Sequence, residues 1–186
     1  MTVGFAVCGS YCTFDAVFPI MALLAEDHDI VPVFSDAVWT TDTRFGKATD
    51  HIRKATSLCG KEPIHSIAQA EPIGPKKMLD ALIVAPCTGN TLAKLSHGIA
   101  DGPVTMAVKS HLRNRRPVVI AISTNDGLGT AAENIGRLMS RKNYFFVPFR
   151  QDDAFEKPCS MVADFTYIPQ AMNAASQGIQ LQPILL

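Results

Sequence analysis

The sequence predicts an α/β fold: one domain built as a three-layer, doubly wound parallel sheet of the Rossmann or flavodoxin kind. Three observations predict it. Short apolar runs of strand length alternate with longer stretches whose apolar residues recur every three or four positions. The runs at 3–8, 81–85 and 117–122 are apolar throughout rather than alternating, as strands covered on both faces are. Most runs pass through small hydrogen-bonding residues into a helical stretch, which is how open parallel sheets build ligand sites at the carboxyl ends of their strands.

The elements follow in order. Val3 to Cys8 is the first strand, and Gly9-Ser10-Tyr11-Cys12-Thr13 the turn after it. Phe14, Val17, Phe18, Met21 and Leu24 then mark a helix, in which Pro19 predicts a kink or a late start. Ile30 to Phe34 is the second strand, with Pro32 weakening its pairing on one side. Arg44 to Leu58 is a polar helix with a narrow apolar face, stopped by Gly60, and is expected to be exposed or to pack on a partner. Residues 62–77, with three prolines and a glycine, read as a long shaped loop carrying a short strand near Ile64 to Ile67. Ala81 to Ala85 is the third strand, followed by a helix with Leu92, Leu95 and Ile99 on its apolar face. Asp101 is expected to cap a helix that has Pro103 in its first turn and runs to Leu112. Pro117 to Ile122 is a strand, and Thr130 with Glu133 predicts a capping box for a helix over 131–141. Tyr144 to Val147 is read as the last strand. Residues 149–160 are expected to be a mobile segment, and 161–186 a kinked C-terminal helix with an apolar tail that docks.

The chain has 186 residues, enough for one domain with a substantial core. Lysine plus arginine equals aspartate plus glutamate at 17 each, so the basic excess of a general nucleic-acid binder is missing. No apolar run approaches the roughly 18 residues of a membrane span, and Met1 to Phe5 enters a strand without a leader pattern. A cytoplasmic protein without membrane or nucleic-acid partners is expected. The five cysteines are an odd, widely spaced set without Cys-x-x-Cys spacing, which predicts reduced thiols and no metal site.

Chemistry concentrates in the loops. Pro86-Cys87-Thr88-Gly89-Asn90-Thr91 joins a buried strand to a helix, so free N–H groups and the positive helix end form an anion pocket. Thr88, Asn90 and Thr91 supply hydroxyl and amide groups to it, although Asn90 reads equally as the cap of that helix. Gly9 and Ser10 let a phosphate approach the first helix, or make an ordinary tight turn. Ser35 bonds the same phosphate or caps a helix. Ser123 and Asn125 belong to a second such loop, 123–130, where Asn125 and Asp126 either meet a ring edge or carboxylate or form a turn with Gly127. Together these loops predict one electropositive cup for a phosphorylated ligand. His51 is expected to be solvated on its polar helix, and His97 to bond within its helix end. Lys109, His111, Arg113, Arg115 and Arg116 form a basic cluster that suits a dicarboxylate, an acidic partner subunit or simply a solvated helix end.

These loops, in their order and spacing, resemble the flavoprotein family that includes cysteine decarboxylases and flavin prenyltransferases. The family's Pro-x-Ser-Ala-Asn-Thr loop corresponds to Pro86 through Thr91, its first Gly-Ser loop to Gly9-Ser10, and its serine after the second strand to Ser35. The resemblance implies FMN held by Gly9, Ser10, Ser35, Pro86, Thr88, Asn90, Thr91, Ser123 and Asn125, in a homo-oligomer built from trimers. It also places His65 near the decarboxylases' catalytic histidine; with Asn125, His65 is the catalytic candidate, a surface histidine being the plain alternative.

Within the family, residues 71–75, 125–126 and 151–153 resemble a group from spore-forming bacteria. That likeness implies an oxidation of a small cyclic dicarboxylate during sporulation, shared with a second subunit that carries NAD(P). The decarboxylases' Pro-x-Met-Asn-x-x-Met-Trp clamp aligns with 122–129, where only Asn125 survives, and 151–158 replace a glycine-rich flap. Tyr11 follows Gly-Ser where the family has small residues. Two further readings stay open: a non-redox scaffold that binds phosphate or nucleotide, and an independent flavin-dependent decarboxylase or prenyltransferase.

Overall fold

The computed structural model describes residues 1–186. Five parallel strands form the body of a seven-stranded sheet: β1 (Thr2–Val7), β2 (Asp29–Phe34), β3 (Ala81–Cys87), β4 (Val118–Thr124) and β5 (Tyr144–Phe146). They lie in the order β2-β1-β3-β4-β5. The registers run Thr2 opposite Asp29, Val3 opposite Ala81, Leu82 opposite Val118, and Val118 opposite Tyr144. Every residue of β3 is buried, the expected result for a central strand covered on both faces. One contiguous apolar core of 46 residues includes Phe5, Ile83 and Ile120 on the strands, and Val17, Met21, Leu92 and Val108 on the helices.

Helix α1 (Phe14–Asp27) buries Phe14, Val17, Phe18, Met21 and Leu24, all five residues of the predicted stripe. It contains Pro19 within its length and is entered through a 3₁₀ turn over Tyr11–Thr13. Pro32 is tolerated because β2 is an outer strand; its carbonyl still accepts from the Ile64 N–H at 2.9 Å. A short helix, α2 (Asp36–Thr40), follows β2. Helix α3 (Ala48–Cys59) starts later than expected and ends on Gly60, whose φ of +66° closes the cap without a Cβ penalty. It packs on α1, and its apolar side is completed by His51, which is buried rather than solvated. Phe14 and Phe18 hold that ring at centroid distances of 4.8 and 6.2 Å.

Residues 62–77 contain one isolated bridge, Val33 with Ile64, where the sequence predicts a short strand. A one-turn helix, α4 (Ile67–Ala70), follows, capped reciprocally by Ser66 and Gln69. Helix α5 (Gly89–His97) ends on Gly98, leaving Ile99 outside the helix and 47% exposed. Helix α6 (Pro103–Leu112) is capped at Gly102, not at Asp101, which pairs with Lys94 at 3.0 Å. Helix α7 (Ala131–Met139) lacks the predicted capping box: Thr130 has helical backbone angles, and Glu133 pairs instead with Arg137 one turn on.

The largest departure follows β5. Residues 149–160 belong to a regular ribbon, β6 (Phe149–Asp153) antiparallel to β7 (Lys157–Ala163). Met161, which fits the start of a helix by periodicity, sits in β7, and helix α8 (Ile168–Ser176) begins only after a 3₁₀ turn over Phe165–Tyr167 that Asp164 caps. The outer edge of β4 is shared: β5 covers Val118–Ile120, and β7 covers Ser123 and Thr124. The apolar tail docks as expected. The Gln180 side chain brackets Phe146, accepting from its N–H and donating to its carbonyl, both at 2.7 Å, so the outer edge of β5 is satisfied without another strand. No helix is long and apolar enough to cross a membrane.

Candidate functional site

A cleft of about 500 Å³ opens at the carboxyl ends of β1, β2 and β3. Its size falls in the range of small-molecule sites, roughly 300–1,000 Å³. Five predicted residues share its wall: Gly9 after β1, Ser35 after β2, and Thr88, Asn90 and Thr91 at the start of α5. Local chemistry explains each placement. Ser35 caps α2 through the Val38 N–H at 3.5 Å. Thr88, rather than Asn90, caps α5: its Oγ1 accepts from the Thr91 N–H at 3.4 Å and lies 3.1 Å from the Thr91 hydroxyl. The Asn90 side chain is thereby left exposed at the cleft with its amide free of a capping duty. The first-turn N–H groups of Gly89 and Asn90 have no intrahelical acceptor, the arrangement that makes a helix end an anion site.

Ser10, Ser123 and Asn125 are placed outside this wall. The Ser10 and Ser123 hydroxyls meet at 2.7 Å, tying the β1 tip to the β4 tip. Thr124 donates to the Asp126 carboxylate. A Cβ on Gly89 would lie 2.6 Å from Thr124 Oγ1 and 2.7 Å from Asp126 Oδ1, so glycine there is required by the close approach of the two loops. Gly127 is small for a similar reason, because Met161 of β7 occupies the space beside it. Asn125 itself is exposed, and Pro86 is buried at the end of β3.

His65 does not line the cleft. Its ring stacks on Trp39 of α2 at 3.8 Å between centroids, with the planes 4° apart, and Nδ1 lies 3.2 Å from the Pro63 carbonyl. Tyr11 does not line it either. Its hydroxyl donates to the Ala37 carbonyl at 2.7 Å and its ring packs against Phe14, so the bulky side chain is held against the rim of α2 and leaves the cleft open.

The cleft is not electropositive in its side chains. Lys94, one turn after Asn90 on α5, is its one cation, and Asp36 and Asp101 are its two carboxylates. Sequence reasoning missed these three; Lys94 lies four residues beyond Asn90, a spacing that puts both on one helix face. Attraction for a phosphate therefore rests on backbone N–H groups and helix ends, while the carboxylates suit hydroxyl groups of the same ligand. Cys8 borders the cleft as a neutral thiol: burial pushes its pKa up to about 11, and the Thr91 hydroxyl donates to its sulfur at 3.3 Å. All five cysteines are free, and no group of His, Cys, Asp and Glu residues is arranged to hold a metal.

The basic cluster of the sequence is divided in space. His111 is fully buried; its Nε2–H donates to the Pro117 carbonyl at 3.1 Å, and burial lowers its pKa to about 4. Arg116 turns to the Leu79 and Lys77 carbonyls and to Asp80. His97 bonds the Ala93 carbonyl within its helix at 2.9 Å, as expected.

Comparison with known proteins agrees with this architecture. The family model described as "Flavoprotein" matches residues 1–168. The B subunit of dipicolinate synthase from Bacillus subtilis is 50% identical over 185 residues, covering 99% of this chain and 92% of the relative. The crystal structure of the corresponding B subunit from Bacillus halodurans superimposes with a TM-score of 0.91 at 43% identity, over 100% of this chain and 95% of that one. An FMN-dependent cysteine decarboxylase superimposes with a TM-score of 0.68 at 25% identity, over 95% and 97% of the two chains.

Proposed function

The chain belongs to the flavoprotein family, and from that premise we propose that it acts as the B subunit of a dipicolinate synthase. In this reading it works with an A subunit to oxidise a dihydrodipicolinate-level dicarboxylate to dipicolinate during sporulation, in the cytoplasm. The A subunit carries NAD(P), and this chain carries FMN in the cleft. The observation that carries the reading is the convergence of Gly9, Ser35, Thr88, Asn90 and Thr91 on one cleft, in a chain half identical to a dipicolinate synthase component along nearly its whole length.

The donor set fits FMN. Thr88 and the N–H groups of Gly89 and Asn90 would hold the phosphate, the Asn90 amide a polar edge and Asp36 the ribityl hydroxyls. When bound, the flavin supplies two-electron redox chemistry. Ser10 and Ser123 act one step back by fixing two strand tips to each other. The neutral Cys8 thiol takes no part as a nucleophile. Asn125, exposed beyond the β4 tip, orients a substrate carboxylate. His65 stacks on Trp39 outside the cleft, so this reading gives it no proton-transfer step. The lost decarboxylase clamp, with Leu128 and Gly129 at the methionine and tryptophan positions, argues against an independent decarboxylase.

The test is titration of the purified chain with FMN, read by flavin fluorescence, followed by assay of dipicolinate formation with the A subunit alone and with both. FMN binding together with a requirement for both chains supports the proposal. A complete reaction by the A subunit alone removes the catalytic role. An undisturbed flavin signal at saturating protein removes the cofactor and favours the scaffold reading.

A further inference from the structure

The ribbon β6–β7 is anomalous in a compact domain. Every residue from 150 to 159 is exposed except Asp153, which is half-buried. A two-stranded ribbon without a packed face is marginal in water. Its turn carries Phe155, 94% exposed, flanked by Asp152, Asp153 and Glu156. Asp152 is paired with Lys157, and Asp153 accepts from the Phe155 and Glu156 N–H groups at 2.9 Å. The Glu156 carboxylate has no partner.

Elsewhere lies the complement. Between the carboxyl ends of α5 and α6, beside β5, a groove of about 500 Å³ has an apolar floor that includes Leu95, Val108 and Leu112. Its rim carries Lys109, Arg113, Arg141 and Lys142, and no carboxylate lines it. Arg141 donates to the Leu95 and Ser96 carbonyls. The seven ion pairs of the chain leave Lys109, Arg113 and Lys142 without an acidic partner. An apolar floor ringed by unpaired cations fits an apolar side chain carried between carboxylates.

We propose that the chain carries both halves of a head-to-tail contact: the Phe155 turn of one copy docks in the Lys109–Arg113–Lys142 groove of the next. Phe155 is the buried anchor and Glu156 meets a rim cation, the usual division between the centre and the rim of an interface. The two surfaces are different patches of one chain, so the contact is heterologous and closes into a ring only if its rotation permits. Charge pairing at the rim makes assembly weaken as salt rises.

The experiment measures the mass of the purified full chain by native mass spectrometry and light scattering over a dilution series, at low and high salt. The wild-type chain assembles beyond a monomer. Phe155→Ala and Lys109→Glu/Arg113→Glu each raise the dissociation midpoint by at least about tenfold, with unchanged circular dichroism. Glu156→Lys weakens assembly less, and combining it with Lys109→Glu restores part of the loss, which a folding defect in either variant could not do. The proposal is overturned if the wild-type chain is monomeric or if Phe155→Ala keeps the wild-type midpoint. It is also overturned if groove variants alone disrupt assembly, or if they leave assembly intact and abolish binding of the A subunit, because the groove then serves another occupant.

Discussion

The parallel half of the molecule and its antiparallel ribbon obey different rules. From β1 to β4, the strands are buried by neighbouring strands and by helices, and their tips are tied to one another by short polar contacts such as Ser10 to Ser123. The ribbon is tied to the sheet at one end through Ser123 and Thr124, where Phe149, Ser160, Met161 and Ala163 are buried, and over residues 150–159 it is open to water. The first region stores the stability of the fold and fixes the cleft. The second stores little stability and offers surface. Side chains of the same type should therefore matter very differently in the two places.

The sharpest contrast is between two apolar truncations. Ile83→Ala removes a fully buried side chain from the central strand and should cost about 3–4 kcal/mol in urea unfolding. Phe155→Ala should change the stability of the folded monomer by less than about 0.5 kcal/mol. Comparable losses at both positions would erase the distinction.

Titration separates the regions next. His111 has its folded pKa lowered from 6.5 to about 4, so between those values the unfolded chain binds more protons than the folded one. Stability is therefore complete above pH 6.5 and declines as pH falls towards 4, by up to about 3 kcal/mol. Burial shifts His51 in the same direction. Urea midpoints from pH 7 to about 4.5 should fall, and His111→Gln, which can still donate to the Pro117 carbonyl, should flatten the decline. On the ribbon, Asp153 is held below its usual range by the N–H groups of Glu156 and Phe155. Its contribution is present above its unfolded pKa and fades only on further acidification. An identical pH slope in His111→Gln would move the titrating burden elsewhere.

Two smaller effects sharpen the account of the cleft. Asn90→Ala should weaken FMN binding by about tenfold, near 1.4 kcal/mol, without lowering the melting temperature, because Asn90 does not cap α5. Thr88→Ala should do both, costing about 1 kcal/mol of stability as a lost N-cap. Thermal melts beside fluorescence titrations decide the pair: equal melting temperatures for the two variants would remove the cap assignment.

Much of this is legible in the residues. The uninterrupted apolar run of β3, the five-residue stripe of α1 and the hydroxyl-rich strand ends identify a parallel sheet and the loops that border its cleft. The departures share a cause. Polarity alone puts His51 and His111 in water, whereas aromatic rings and a single carbonyl partner make burial of a neutral imidazole acceptable. Thr130 and Glu133 have capping-box spacing, but the backbone of Thr130 is already helical. Met161 and Phe165 fit a helical period, yet Met161 is paired with Thr124 and Gln151 in the sheet, and Asp164 between the two caps a 3₁₀ turn over Phe165–Tyr167.

By itself, the sequence determined the layered fold, its covered central strands and the chemistry available at each strand tip. Those follow from periodicity and side-chain type, which act over a few neighbouring residues. Only the tertiary structure decided that Gly9, Ser35 and Asn90 share a wall while Ser10 and Ser123 brace it from outside. It also decided that Tyr11 folds against α2, and that 149–163 form a ribbon along the free end of β4. Those outcomes depend on which edges remain unpaired and which spaces remain unfilled after the sheet has closed, and such information belongs to no local stretch of chain.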